Sequence, residues 1–155
     1  MTFPKMKRSN RAISPEKTMM ILQSADYGVL STIGQNGYPY GIPVNYVTDG
    51  QKIYFHCALT GSKIDNMVHN PKVCFTVVGN TEILADQFST RYESVVVFGT
   101  ASATTREDKP SVFEKLIKKY SPAYKEQGYA YTQPRIDVTA VYEIQIDHMT
   151  GKANK

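Results

Sequence analysis

Short blocks of alternating apolar and polar residues run through most of this chain, and they predict strands joined by tight turns. Tyr27–Ile33 and Tyr38–Val47 are the first two blocks, separated by Gly34-Gln35-Asn36-Gly37, whose Asn-Gly pair is a strong hairpin signal. Asp49-Gly50 turns the chain again into Ile53–Cys57, a β-branched and aromatic run. Val73–Val78, Ser94–Thr104 and Val138–Ile146 complete the set, with Gly99 marking a bulge or sharp bend and Val141 breaking the last alternation. Pro39 and Pro43 donate no ladder hydrogen bond, so their strand lies at an edge or is interrupted beside a ligand. Between Val78 and Ser94 the pattern lapses: Glu82-Ile83-Leu84 reads as a possible strand, Ala85–Tyr92 as loop, and His148–Lys155 as a tail.

Helical spacing takes over in three places. Ser14-Pro15-Glu16 is a helix start, with serine at the N-cap, proline at N1 and an acid in the first turn. That helix is expected to run to about Gln23 and to bury Met19, Met20 and Leu22 or a similar face. Arg106–Tyr120 carries acids early, lysines late and a buried stripe of Phe113, Leu116, Ile117 and Tyr120. Ser121–Pro134, rich in Tyr, Pro, Gly and Gln, is expected to form a packed loop or short helix.

The third helical stretch organises the chain. Ile53–Val78 reads as strand, glycine loop, short helix and strand, with Ser62 as cap, a helix from Lys63 to about His69, and Asn70-Pro71 as its stop. A glycine, a hydroxyl and a lysine at a helix N-terminus offer N–H groups, a dipole end and a cation, which suits a phosphate, although an ordinary capped loop is the commoner use of such a pattern. Hairpins dominate and no βαβ alternation or GxGxxG is present, so the expected fold is mainly β, a small antiparallel barrel with peripheral helices.

At 155 residues, 41% hydrophobic and 21% charged, the chain is expected to be a single domain with a basic N-terminal arm over residues 1–13. No apolar run reaches membrane-spanning length and no apolar h-region follows the arm, so a cytoplasmic location is expected, with no membrane partner. The formal charge of +4 owes much to Lys5, Lys7, Arg8 and Arg11, but no nucleic-acid-binding signature accompanies them. The arm is read as solvated, or as folding over an anionic ligand. Cys57 and Cys74 lack metal spacing and read as free thiols; His56, His69 and His148 show no ligand spacing, and no metal site is expected. Without a nucleophile elbow or a paired acid set, the chain looks poor in chemistry of its own, as proteins that delegate it to a cofactor often are.

An ordered set of blocks then carries a resemblance: LSTIGQNGYPYGIPVNYV, IYFHCALTGSK, HNPKVCFTV, YESVVVFGTA and HMTGK. Together they resemble the flavin-binding split barrels of the pyridoxamine 5′-phosphate oxidase-like superfamily. Within it the chain looks most like the nitroimidazole-resistance (Nim) proteins, through the basic arm, the HxAxxGxK pattern of His56, Ala58, Gly61 and Lys63, and the terminal Gly151-Lys152. The resemblance implies a split antiparallel β-barrel of FMN-binding type and a homodimer with FMN in a groove between protomers. It implies Pro43, Val44, Asn45 and Tyr46 along the isoalloxazine, largely through backbone groups, and Gly61, Ser62 and Lys63 at the phosphate. His56 would sit near the ribityl chain or ring edge as the catalytic candidate, and Ser94, where the oxidases carry glutamine, would come from the partner side. The implied activity is FMN-dependent reduction of a small organic acceptor such as a nitroaromatic; the alternative is a non-catalytic flavin- or haem-binding store or sensor, with His56 or His148 as an iron ligand. Ser62 and Ile42 stand where the true oxidases have arginines and the chain has no Trp, which argues against pyridoxal-phosphate chemistry.

Overall fold

The computed structural model describes residues 2–155; Met1, the first residue of the expected arm, lies outside them. The chain forms α1 (Pro15–Ser24), β1 (Gly28–Ile33), β2 (Pro39–Val44), β3 (Val47–Thr48), β4 (Lys52–Cys57), α2 (Ser62–His69), β5 (Lys72–Leu84), β6 (Ser89–Ala103), α3 (Lys109–Tyr120), α4 (Lys125–Thr132) and β7 (Ala140–Asn154). All strands join one antiparallel sheet in the order β2-β1-β5-β6-β7-β4-β3. The two outermost strands, β2 and β3, are separated in sequence only by Asn45 and Tyr46, so that bend carries the chain from one edge of the sheet to the other and closes it. The result is a split antiparallel barrel. The expected continuous strand Tyr38–Val47 is thus two strands, because a barrel closed by a single segment must break that segment where it changes neighbours.

The interior is filled from alternate positions of every long strand: Leu30, Ile53, Phe55, Phe75, Val77, Val95, Val97 and Ile144 are all fully buried. Ile21 and Leu22 of α1 enter this core at the Gly79 end of β5, where the Ile21 side chain approaches Gly79, while α2 leads into the Lys72 end. The face α1 buries is Thr18, Ile21 and Leu22; Met20, expected inside, points to solvent. A second cluster lies outside the barrel, where Val112, Phe113 and Leu116 of α3 pack on Val47 and Val141. This accounts for Val141: β7 is covered on both faces there, so its alternation is lost.

Two regions differ from the sequence-based expectation. Ser89–Tyr92, expected as loop, continues β6, pairing with β5 through Thr81↔Tyr92 to Leu84↔Ser89 beyond a register shift. No residue of this hairpin arm is fully buried, so no burial alternation marks it, and it turns at Phe88, which has φ 51° and is almost wholly exposed. The expected tail is likewise strand: β7 runs on to Asn154 after a shift opposite Phe98 and Gly99. Gly151 within it is a close-approach position, since a Cβ there would lie 2.1 Å from Thr18 Oγ1, so the glycine lets α1 sit directly on β7.

The arm is anchored on the sheet. Phe3 stacks on His148 at 4.6 Å between ring centroids and on Phe98 at 5.6 Å, and Ala12 bridges to Lys152. Lys5, Lys7 and Arg8 remain exposed along it. The arm is therefore neither freely solvated nor folded over the Lys63 loop.

Candidate functional site

The α2 N-terminus forms as the sequence implies, with one shift: Gly61, not Ser62, occupies the N-cap, at φ 142°. That left-handed geometry is open to glycine and strained for other residues, and nothing lies within 4 Å of where a Cβ would be. The first helical bonds run from the Ile64 and Asp65 N–H groups to the Gly61 carbonyl, so the amides of Ser62 and Lys63 precede the hydrogen-bonded turn. Lys63 forms no ion pair among the described residues. Burial pushes the Cys57 thiol's pKa up, and the Lys63 charge opposes that rise. Asp65 lies in the same first turn and is exposed.

His56 projects from β4 on the side away from the barrel interior, since its neighbours Phe55 and Cys57 point inward. Its ring lies 5.9 Å from that of Phe113, and although its area is exposed, the concave wall around it desolvates the imidazole and lowers its pKa. Asn45 and His56 both line a cavity of about 710 Å³ between the barrel and the α3–α4 helices. The remaining expected ring contacts divide. Pro43 is exposed on the edge strand β2, which pairs only with β1, while Val44 turns inward against the core. Tyr46 is fully buried: its hydroxyl donates to the Leu22 carbonyl, its N–H to the Tyr120 hydroxyl, and its carbonyl accepts from Lys119. Every polar group of Tyr46 is therefore engaged in holding the bend.

Ser94 stands apart. It lies on β6 between Val78 and Lys152, faces outward, and lines none of the cavities that contain Asn45, His56 or Ser62. One copy of the chain brings together Asn45 and His56 at one cavity, but does not bring Ser94 to that cavity. Tyr120, Tyr124 and Tyr131, which the sequence reading left in the core or a loop, complete the large cavity together with Arg135, which it did not place. The aromatic density of Ser121–Pro134 was the available signal, and it gave packing rather than a site.

A seven-stranded antiparallel sheet of this order, its two edge strands joined by a two-residue bend, defines a protein of the split-barrel class. The chain belongs to the pyridoxamine 5′-phosphate oxidase family, whose sequence model matches residues 14–153. No curated protein matches the sequence significantly. Among solved structures, the chain is similar to a protein from Bacteroides thetaiotaomicron assigned to 5-nitroimidazole antibiotic resistance, at TM-score 0.78 and 24% identity over 93% of this chain and 90% of that one. It is similar to the flavocytochrome Anf3 of Azotobacter vinelandii at TM-score 0.81 and 20% identity, covering 97% of this chain and 72% of that one. The haem storage protein HutZ of Vibrio cholerae matches at TM-score 0.67 and 15% identity, covering 91% and 95%. These likenesses establish a shared fold.

Proposed function

We propose that the protein is a cytoplasmic, homodimeric, FMN-dependent oxidoreductase that reduces a small organic acceptor such as a nitroaromatic. The observation that carries this reading is the α2 N-terminus: an exposed glycine cap, two amides ahead of the first helical bond, and an unpaired lysine, at the end of the strand that presents His56. This donor set suits a phosphate dianion, because N–H groups, the positive dipole end and an ammonium all favour the same charge. Family membership and the names of the fold relatives, a nitroimidazole-resistance protein and a flavocytochrome, support the flavin and the acceptor class. FMN, when bound, supplies the two-electron chemistry that the side chains lack. The protein's part is to hold the phosphate through Ser62 and Lys63, to frame the ring with Pro43, Val44 and Asn45, and to present His56, neutral at pH 7, to the second substrate. Among the residues expected at the ring or phosphate, Pro43, Asn45, His56, Gly61 and Ser62 are exposed, as a groove completed by a second copy requires, and Ser94 can reach it only from that copy.

Titration with FMN and with riboflavin, followed by flavin fluorescence, tests the seat. The wild type should prefer FMN, and Lys63→Ala should weaken FMN by at least about tenfold while leaving riboflavin unchanged. Full FMN affinity in Lys63→Ala would refute the phosphate assignment. Consumption of a nitroaromatic with a nicotinamide donor, together with a dimer by sizing, tests the rest. A Soret band in the purified protein, with no flavin binding, would decide for the alternative of a haem store, which the HutZ likeness and the exposed His56 imidazole favour.

A further inference from the structure

The cavity between the α3–α4 helices and the outer face of β4 has a chemistry of its own. Its volume, about 710 Å³, is that of a small-molecule site. Phe113, Leu116 and Ile117 give it an apolar floor, and Tyr124 and Tyr131, both mostly exposed, give it aromatic walls. Gly128 sets the width, since a Cβ there would lie 3.0 Å from Ile117 and force α4 away from α3.

The charged side chain lining this cavity is a cation, although the Asp26 carboxylate acts on the lining residue Tyr120 from nearby. Arg135 lines it, with its guanidinium 3.7 Å from the centroid of the Tyr131 ring and Nη1 donating to the Tyr131 carbonyl at 2.5 Å. No carboxylate pairs with Arg135 among the described residues, and none lines the cavity. The nearby acid, Asp137, is taken by Arg106 through bonds of 2.6 and 3.1 Å. Lys109 adds a second cation behind the wall, donating to the carbonyls of Ile136 and of the lining residue Thr139. A guanidinium held over an aromatic ring, with donors to spare, suits a planar anion.

We propose that this cavity binds a small organic anion with a planar aromatic body, such as an aromatic carboxylate, its charge on Arg135 and its ring between the tyrosines and Phe113. Because His56 and Asn45 form the wall on the barrel side, the bound anion is the second substrate of the flavin site; that role rests on the proposed function, whereas the binding does not.

Calorimetric titration of the full chain with 2-naphthoate and its neutral isostere 2-naphthamide tests the inference. Wild type should bind the carboxylate at least about tenfold more tightly than the amide. Arg135→Gln should erase that preference while leaving the amide's affinity unchanged, and Thr132→Trp, which fills the cavity, should abolish both. Equal affinity of the wild type for the two compounds, or a preference that survives Arg135→Gln, or binding that survives Thr132→Trp, would overturn it. FMN titration of the same proteins serves as fold control and separates the two proposals. Lys63→Ala should keep naphthoate and lose FMN, and Arg135→Gln the reverse. A wild type that binds naphthoate but no flavin would sink the proposed function and leave the anion site standing.

Discussion

The phenol oxygen of Tyr120 lies 3.0 Å from both the backbone nitrogen and the backbone oxygen of Tyr46, a residue 74 positions earlier, and 2.7 Å from the Asp26 carbonyl. The Tyr46 N–H donates to it, and its own proton goes to one of the two carbonyls. Lys119, the preceding residue on α3, donates to the Tyr46 carbonyl at 3.0 Å with its ammonium 4.0 Å above the Tyr46 ring, and burial there lowers its pKa. The last turn of α3 thus fastens the bend through which the barrel closes.

Tyr120→Phe should therefore destabilise the protein by more than the loss of one surface hydroxyl. The Tyr46 N–H would be left without a partner in a fully buried residue, at a cost of about 1–3 kcal/mol. Urea unfolding should show a lower midpoint at an unchanged slope. A shift within error would mean that the bend is held by the core packing of Tyr46 alone.

A second expectation concerns the approach of α1 to β7. A Cβ on Gly151 would fall 2.1 Å from Thr18 Oγ1 and 2.7 Å from Ile13 Cγ1, and Thr18 is fixed by its own bond to the Ser14 carbonyl at 2.8 Å. Gly151→Ala should cost about 2–3 kcal/mol by forcing the helix off the strand. The cost should fall when Thr18→Ala is added, giving a coupling of about 0.5–3 kcal/mol in a double-mutant cycle. Additive effects would show that the clash relaxes elsewhere.

These two contacts also mark what the sequence made legible. Most strand positions, the Asn-Gly and Asp-Gly turns, helices α1, α2 and α3 and the Lys63 loop follow from local rules, because alternation, caps and glycine turns act over a few residues. The closing bend at Asn45–Tyr46 does not, since it depends on which strands are neighbours. Gly151-Lys152 entered only as part of a family pattern; the structure gives it a steric cause. The large cavity was hidden for the same reason, as Arg135 and Tyr131 become a site only when α4 folds back toward His56. The β5–β6 arm was missed because a strand pair with no fully buried residue has no hydrophobic period to detect.

Acid sensitivity should localise to the β3–β4 turn. Asp49 accepts from the backbone N–H groups of Gln51 at 2.9 Å and Lys52 at 2.8 Å and from the Tyr54 hydroxyl at 3.1 Å. Burial alone would raise its pKa, but those bonds and the charge of Lys115 outweigh it, and the net shift is downward. A carboxylate whose folded pKa is depressed contributes stability above its unfolded value of 3.8, and that contribution is lost as pH falls through the folded value. Asp49→Asn should lower the urea midpoint at neutral pH and flatten its decline as pH falls below about 4. On the alkaline side, burial and then Asp49 push the Tyr54 phenol up to about 12, so its contribution persists at neutral pH and is lost only as pH rises through that value. An unaltered acid limb in Asp49→Asn would place the sensitivity at other carboxylates.

The arm offers the last test, because its first residues are anchored by the ring of Phe3. Phe3 lies parallel to His148, with ring planes 4° apart and centroids 4.6 Å apart, and the exposed Lys5, Lys7 and Arg8 follow directly. An aromatic pair of this kind contributes about 0.5–1.5 kcal/mol, which sets how often the arm lifts. Phe3→Ala should thus speed tryptic cleavage after Lys5, Lys7 and Arg8 by about two- to tenfold, when opening is fast relative to cutting. The urea midpoint should barely move, since Phe3 belongs to neither buried cluster. His148→Ala should reproduce the cleavage effect from the other side of the stack. If Phe3→Ala leaves cleavage unchanged, the arm is held by Met6, Ile13 and the Ala12–Lys152 bridge rather than by the ring pair.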